Sequence, residues 1–103
     1  MHYFSLHTQQ DEHIGFLIMY PRDDSQNQSG DLAIKLLDSL PTRLCEVTKL
    51  LAYWQVQAAL SWKVSGDKVV VFDDDGDPRG TIRQEQLHIG NHVFILNDLA
   101  GNM

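Results

Sequence analysis

The residues best suited to chemistry in this sequence are carboxylates that follow an apolar run at residues 69–72. Four of them fall within five positions of one another: Asp73, Asp74, Asp75 and Asp77. Alternating carboxylates can bind Ca²⁺, but the loop of an EF-hand needs glycine at its sixth position and glutamate at its twelfth. Here Gly76 is fourth and Gln84 is twelfth, so the spacing does not favour calcium and we predict no bound metal.

The string VVVFDDDG at residues 69–76 resembles the nucleophile motif of haloacid-dehalogenase-type phosphatases. The resemblance implies that Asp73 attacks phosphorus, that Asp75 acts as acid and base, and that Mg²⁺ binds between carboxylates. Asp77 stands where that family has threonine, and the 27 residues after Gly76 are too few for its parallel sheet. We therefore favour a polar hairpin turn, which Asp and Gly commonly form, and predict no catalytic residue.

The remaining reactive side chains add no chemistry. His88 and His92 are four residues apart, but Gly90 and Asn91 form a turn between them, which separates the two rings onto opposite faces. Cys45 is the only cysteine, so an internal disulfide is impossible, and a reducing compartment is expected. The sequence predicts no cofactor and no enzymatic activity.

The charge of the chain predicts the kind of partner it binds. Its formal charge is -6 and its pI is near 5.1, which disfavours nucleic acid and anionic membranes as partners. An acidic surface instead attracts a basic protein. The predicted contact residues are the four carboxylates of the turn, a second acidic pair and one aromatic side chain: Asp73, Asp74, Asp75 and Asp77, then Asp23 and Asp24, and Tyr53.

The N-terminal third predicts a β-hairpin followed by a loop. Residues 2–8 alternate apolar and polar side chains, which is the period of a strand. Residues 14–20 are almost wholly apolar and predict a buried strand, with a short buried helix as the alternative. Residues 22–30, which read RDDSQNQSG, are polar and predict a loop.

Two helices are predicted next. Residues 31–40 have apolar side chains at helical spacing, and Asp31 can cap the first turn. Pro41 ends this helix, and Thr42 can cap the following one. The second helix ends near Ala59 and carries an apolar stripe of residues three or four positions apart: Leu44, Val47, Leu51, Trp54 and Ala58.

The last 44 residues predict a β-meander with strands over residues 60–64, 69–72, 81–89 and 92–97. Gly90-Asn91 is a typical two-residue hairpin turn. In that hairpin Ile89 pairs with His92 and Leu87 faces Phe94, which puts the apolar side chains on one face. The other face, around His88 and Gln86, is mixed.

These elements predict a single α+β domain over residues 1–103. Its mainly antiparallel sheet is assigned five strands in the order ββααβββ, one fewer than the six segments with a strand pattern, and two helices lie on one face. With no signal peptide and no apolar stretch near 20 residues, we expect a cytoplasmic protein, monomeric rather than dimeric. The function predicted is an inhibitor or a bacterial immunity-type protein (an antitoxin) that neutralises a basic partner such as a toxin or nuclease. A dimeric secretion chaperone or adaptor, or a small ligand-binding domain or enzyme, are the alternatives.

Overall fold

The chain folds as a closed barrel of eight antiparallel strands in a computed structural model that describes residues 2–22, 28–55 and 60–99. The predicted α+β fold with a five-stranded sheet and two helices is therefore wrong. The strands are β1 His2–His7, β2 His13–Pro21, β3 Ser29–Leu36, β4 Leu60–Ser65, β5 Lys68–Phe72, β6 Pro78–Arg83, β7 Gln86–Ile89 and β8 His92–Asp98. A 3-10 helix, Thr42–Leu44, and the helix α1, Cys45–Gln55, lie between β3 and β4.

Each strand pairs with its neighbour in the chain, and β1 pairs with β8 to close the barrel. At this seam Leu6 lies opposite Leu96, and both side chains are fully buried. Successive side chains of a strand point to opposite faces, so every second residue enters the barrel. The interior is filled by large apolar side chains from all parts of the barrel, among them Leu17, Ile34, Trp62, Val71, Leu87 and Phe94.

The first predicted helix, residues 31–40, is wrong because most of it forms the strand β3. Leu32, Ile34 and Leu36 alternate along that strand, and this period of two competes with the helical spacing in the same sequence. β3 pairs with β2 on one side and with β4 on the other, so its backbone N–H and C=O groups find hydrogen-bond partners in two neighbouring strands. Long-range pairing therefore decides between two local patterns.

The predicted strand over residues 81–89 is also wrong, since a turn divides it into β6 and β7. Gln84 and Glu85 form that turn with φ angles of 52° and 62°. Positive φ at both central residues suits the right-handed twist of a two-residue hairpin, although glycine and asparagine are the usual residues there. Because neither glycine nor asparagine is present at these two positions, the sequence did not indicate a turn here.

Other predicted elements are confirmed. β1 and β2 form the opening hairpin, and β7 and β8 pair with Ile89 opposite His92 and Leu87 opposite Phe94. The side chains on the predicted core face of that last hairpin are buried: Leu87, Ile89, Phe94 and Leu96. The mixed face, with Gln86 and His88, lies on the outside of the barrel and is half-buried.

The second predicted helix is confirmed as α1, and it covers one end of the barrel. Leu51 and Trp54 are buried, and a Cβ atom added to Gly80 of β6 would lie 3.2 Å from the Trp54 ring. Arg43, just before α1, forms a two-pronged ion pair with Glu12 in the β1–β2 turn. The predicted end of the helix, near Ala59, lies outside the described residues. No helix in the described part of the chain is both long and apolar enough to cross a membrane.

Antiparallel strands place successive connections at opposite ends of the barrel. The β1–β2 turn, α1, the β5–β6 turn and the β7–β8 turn share one end, which we call the helix-capped end. His2, the β4–β5 turn, the β6–β7 turn and the end of β8 share the other, which we call the open end.

The contribution of α1 to the core can be tested with two neighbouring residues. Trp54→Ala removes a buried side chain and is expected to lower the free energy of unfolding by about 3–5 kcal/mol. Tyr53→Ala changes a side chain that is 61% exposed and is expected to stay within about 0.5 kcal/mol of the parent. Urea unfolding measures both, and equal effects would contradict the packing of α1 on the barrel.

Candidate functional site

The acidic turn between β5 and β6, residues 73–77, is organised by its first residue. The Asp73 carboxylate is buried, and its Oδ1 accepts hydrogen bonds from the backbone N–H groups of Asp75 and Asp77, each at 3.0 Å. The backbone N–H of Gly76 donates to the Asp73 carbonyl at 3.0 Å. Gly76 has a φ of 84°, a conformation that L side chains rarely adopt, so glycine suits this position.

The second oxygen of Asp73 binds Arg79 in β6. The Arg79 Nε atom donates to Asp73 Oδ2 at 2.6 Å, and this hydrogen bond is the largest cause of the lowered pKa of Asp73. The backbone N–H of Asp77 lowers the same pKa further, because it also stabilises the charged carboxylate. The same pairing raises the pKa of Arg79. The predicted contact residue Asp73 is thus buried and holds the turn in shape.

The other carboxylates of the turn face solvent. Asp74, Asp75 and Asp77 are exposed, and within the described residues the Asp74 and Asp75 side chains have no hydrogen-bond or ion-pair partner. Asp77 lies 3.9 Å from Arg79, at the edge of ion-pair distance. The rigid turn therefore presents three negative groups, of which two are uncompensated.

The turn is poorly suited to a cation, although oxygen atoms of Asp73, Asp74 and Asp75 lie within 4.8 Å of one another. Both oxygens of Asp73 are already occupied, by two backbone N–H groups and by the guanidinium of Arg79. An arginine beside the cluster would also repel a metal ion. The same contacts exclude Asp73 as a nucleophile, and the antiparallel barrel lacks the parallel sheet that the resemblance to phosphatases implied.

Tyr53 joins the acidic turn at the helix-capped end. Its side chain lies on the exposed side of α1, and the neighbouring Trp54 packs near Gly80, the residue after Arg79. The pKa of Arg79 is raised mainly by Asp73, and Tyr53 is the smallest of the causes that raise it. The structure thus brings together Tyr53 and the turn, which are some twenty residues apart in the sequence. Asp23 and Asp24, the second predicted acidic pair, lie outside the described residues.

The two ends of the barrel differ in charge. Within the described residues the helix-capped end has eight carboxylates against four cationic groups, whereas the open end has four of each. The groups of the helix-capped end are Asp11, Glu12, Asp38, Glu46, Asp73, Asp74, Asp75 and Asp77, with Lys35, Arg43, Lys49 and Arg79. Those of the open end are Asp31, Asp67, Glu85 and Asp98, with Arg22, Lys63, Lys68 and Arg83. The described residues thus carry a net charge of -4 at the helix-capped end, and the other two negative charges of the chain, Asp23 and Asp24, lie outside the described residues.

A cluster of polar side chains on the outside of β1 and β2 was missed by the sequence analysis. The rings of His7 and His13 stack with centroids 5.0 Å apart. His7 Nε2 lies 2.8 Å from Ser5 Oγ and 3.1 Å from Asn97 Nδ2, and its Nδ1 lies 3.5 Å from Asp11 Oδ1. His7 Nδ1 is buried and forms no hydrogen bond within the described residues.

The contacts of His7, with Ser5 at Nε2 and Asp11 at Nδ1, are those of a hydrolase triad, but the surroundings are those of a strand. Ser5 is 8% exposed in the middle of β1, between two paired strands that use its backbone groups. Transition-state stabilisation needs N–H donors aimed at the oxyanion, and the ladder already occupies those nearby. The cluster therefore joins β1, β2 and β8 on the outside of the barrel. The predicted opening hairpin could have indicated this cluster, because the pairing of β1 with β2 places His7 opposite His13.

Comparison with known proteins gives one family and no individual relative. The family model described as "HLGFF-containing, Neisseriales" matches residues 1–103. No curated protein and no solved structure matches the chain significantly. The letters HLGFF have a near counterpart at residues 13–17, which read HIGFL. There His13 Nε2 lies 2.9 Å from the Gly15 carbonyl, the Phe16 ring meets His13 edge-on, and a Cβ on Gly15 would lie 2.3 Å from the Lys35 carbonyl.

The role of Asp73 can be tested by its pH dependence. Because the folded state lowers the pKa of Asp73, its contribution to stability is complete above the unfolded value of about 3.9 and is lost as the pH falls through the folded value. Asp73→Asn is therefore expected to destabilise the protein at neutral pH, by an amount that shrinks as the solution is acidified. Urea midpoints across the pH range measure this.

Asp74→Asn is the matched control, because Asp74 is exposed and has no side-chain partner in the described residues. It should leave stability almost unchanged at every pH. An Asp73→Asn variant as stable as the Asp74→Asn variant at neutral pH would show that Asp73 does not hold the turn.

Proposed function

The chain belongs to the HLGFF-containing family of the Neisseriales, and we propose that it is a binding protein whose helix-capped end docks onto a basic surface of another protein. The observation that carries the proposal is the collection of net negative charge at that end, within the described residues. In this proposal the protein acts as an inhibitor or an immunity-type protein: it covers a basic site of its partner and catalyses no reaction itself.

Charge at one end of the barrel supports directional association. A partner with a positive patch is attracted to the helix-capped end, where eight described carboxylates outnumber four cationic groups. Such electrostatic complementarity raises the rate of encounter and orients the two proteins. If the same charges were spread evenly over the surface, they would not favour any one orientation of the partner.

The geometry of the acidic turn supports a preorganised contact. The backbone around Asp74 and Asp75 is held by the hydrogen bonds of Asp73, so little conformational entropy is lost when the turn meets a partner. The two uncompensated carboxylates can each accept hydrogen bonds from an arginine or lysine side chain. These hydrogen bonds would replace hydrogen bonds from water to Asp74 and Asp75, and no ion pair of either side chain in the described residues would have to break.

Tyr53 supplies the other component of a binding surface. It is 61% exposed beside the acidic turn, and tyrosine is enriched among the residues that dominate binding energy at protein interfaces. In such a surface the carboxylates orient the partner and the exposed aromatic ring provides contact area. Both features are typical of sites that bind proteins.

The partner can be identified by site-specific photocrosslinking. A photoreactive amino acid at position 53 is expected to capture a basic protein from Neisseriales cells. The same group at Tyr20, an exposed tyrosine of β2 that lies towards the open end, should not. Capture of the same partner with equal yield at both positions would contradict the proposed surface.

Association kinetics with the captured partner then test the charge. The triple variant Asp74→Asn, Asp75→Asn and Asp77→Asn is expected to lower the association rate constant about tenfold or more at low salt, and to flatten its salt dependence. The matched control removes three carboxylates from the open end, as Asp67→Asn, Glu85→Gln and Asp98→Asn. Equal slowing of both triple variants would show that total charge matters and that the acidic turn has no special role.

A further inference from the structure

The open end of the barrel contains an apolar cavity of about 250 Å³. Its wall consists of inward-facing side chains from five strands, with one histidine among them: His2, Phe4, Met19, Trp62, Val64, Val69 and Ile82. Phe4, Val64, Val69 and Ile82 are only partly buried although they pack on the core. Apolar surface therefore remains accessible inside the barrel at this end.

The other end of the barrel is different, because α1 packs its apolar side chains there. Leu51 and Trp54 of α1 are buried, and Ile14, Ile89 and Phe94 complete a filled interior at that end. An eight-stranded barrel is just wide enough either to be filled by its own side chains or to hold one small ligand. This barrel combines both, being filled at the helix-capped end and concave at the open end.

The size and polarity of the cavity determine the class of ligand. An apolar cavity of 150 Å³ in another protein holds benzene, so a cavity of about 250 Å³ can hold a bicyclic aromatic ring or a hydrocarbon chain of similar volume. Only His2 and the indole of Trp62 bring polar atoms to the wall, and Trp62 Nε1 already donates to the Asp31 carbonyl at 2.9 Å. His2 is thus the side chain that can hydrogen-bond one polar group of a ligand.

Charge at the rim does not oppose a neutral ligand. The described lining of the cavity contains no aspartate, glutamate, lysine or arginine, and the carboxylates of the helix-capped end lie at the far side of the barrel. From volume, lining and charge we infer that the open end binds a small neutral apolar molecule, with a single ring system or short chain and one hydrogen-bonding group directed to His2. This site is independent of the proposed contact with a basic protein.

The inference can be tested with 2-naphthol as the probe, a bicyclic ring that carries one hydroxyl group. NMR spectra of the full chain should show saturable shifts of the methyl groups of Met19, Val64, Val69 and Ile82 on titration. The methyl groups of Ile14 and Ile89, which are buried at the helix-capped end, should shift little. Absence of saturable shifts, or shifts spread evenly over the molecule, would overturn the inference.

Neighbouring residues of β5 provide a matched pair of variants. Val69 faces Val64 inside the barrel, whereas Val70 pairs with Lys63 and faces outward. Val69→Phe fills the cavity and is expected to weaken binding of 2-naphthol about tenfold or more, while Val70→Phe leaves it within about twofold. Unchanged affinity in a folded Val69→Phe protein would show that the probe binds elsewhere.

A milder variant keeps the test decisive should Val69→Phe fail to fold. Val64→Leu adds one methylene group to the cavity wall, a change that cores usually tolerate. It is expected to weaken binding by a smaller factor than Val69→Phe, because it removes less of the volume. Equal affinity in the parent protein and in Val64→Leu would contradict the position of the ligand against β4.

Discussion

The pairing of the first strand with the last is the constraint on which the rest of the structure depends. β1 and β8 are far apart in the sequence, and their pairing from Phe4–Asp98 to His7–Ile95 turns an open sheet of eight strands into a barrel without free edges. The seam is packed on the inside by Leu6 and Leu96 and is joined on the outside by the hydrogen bond between Asn97 and His7. Without it, β1 and β8 would expose unpaired backbone groups, and the interior would open to solvent.

Closure also separates the two proposed binding regions. In a closed antiparallel barrel, alternate connections must meet at the same end, which brings α1 and the acidic turn together although they are distant in the sequence. The apolar cavity lies at the opposite end and is lined by residues of five strands. A charged docking surface and an apolar ligand site can therefore coexist in 103 residues, because the packed apolar interior separates the carboxylates of one end from the cavity of the other.

Local patterns predicted the first and last hairpins and the second helix, but they missed β3 and the turn between β6 and β7, and they could not predict the architecture. Gly90-Asn91 fixed the register of the last hairpin, because a two-residue turn allows only one pairing. Residues 31–36 satisfied both a helical and an alternating period, and only the pairing with β2 and β4 decides between them. No local pattern in the sequence predicted closure, because closure depends on the pairing of β1 with β8, which are far apart in the chain.

The candidate site was predictable in part for the same reason. The run of aspartates and a glycine indicated a polar turn, and the turn is where the pattern predicted it. Which carboxylate would be buried depended on Arg79, since its guanidinium and two backbone N–H groups bind Asp73 and leave Asp74 and Asp75 exposed. The proximity of Tyr53 to Arg79 depends on the packing of α1 across the barrel end, which no local pattern specifies.

Amide hydrogen exchange at the seam tests the central claim, closure of the barrel, most directly. If β1 and β8 are paired, the hydrogen-bonded amides of residues 4–7 and 95–98 should be protected to nearly the same degree as those of the interior strands β2 and β5. Fast exchange confined to β1 and β8, with protection retained elsewhere, would show an open sheet with two free edges. That result would contradict the closed barrel and, with it, both the shared acidic end and the apolar cavity at the open end.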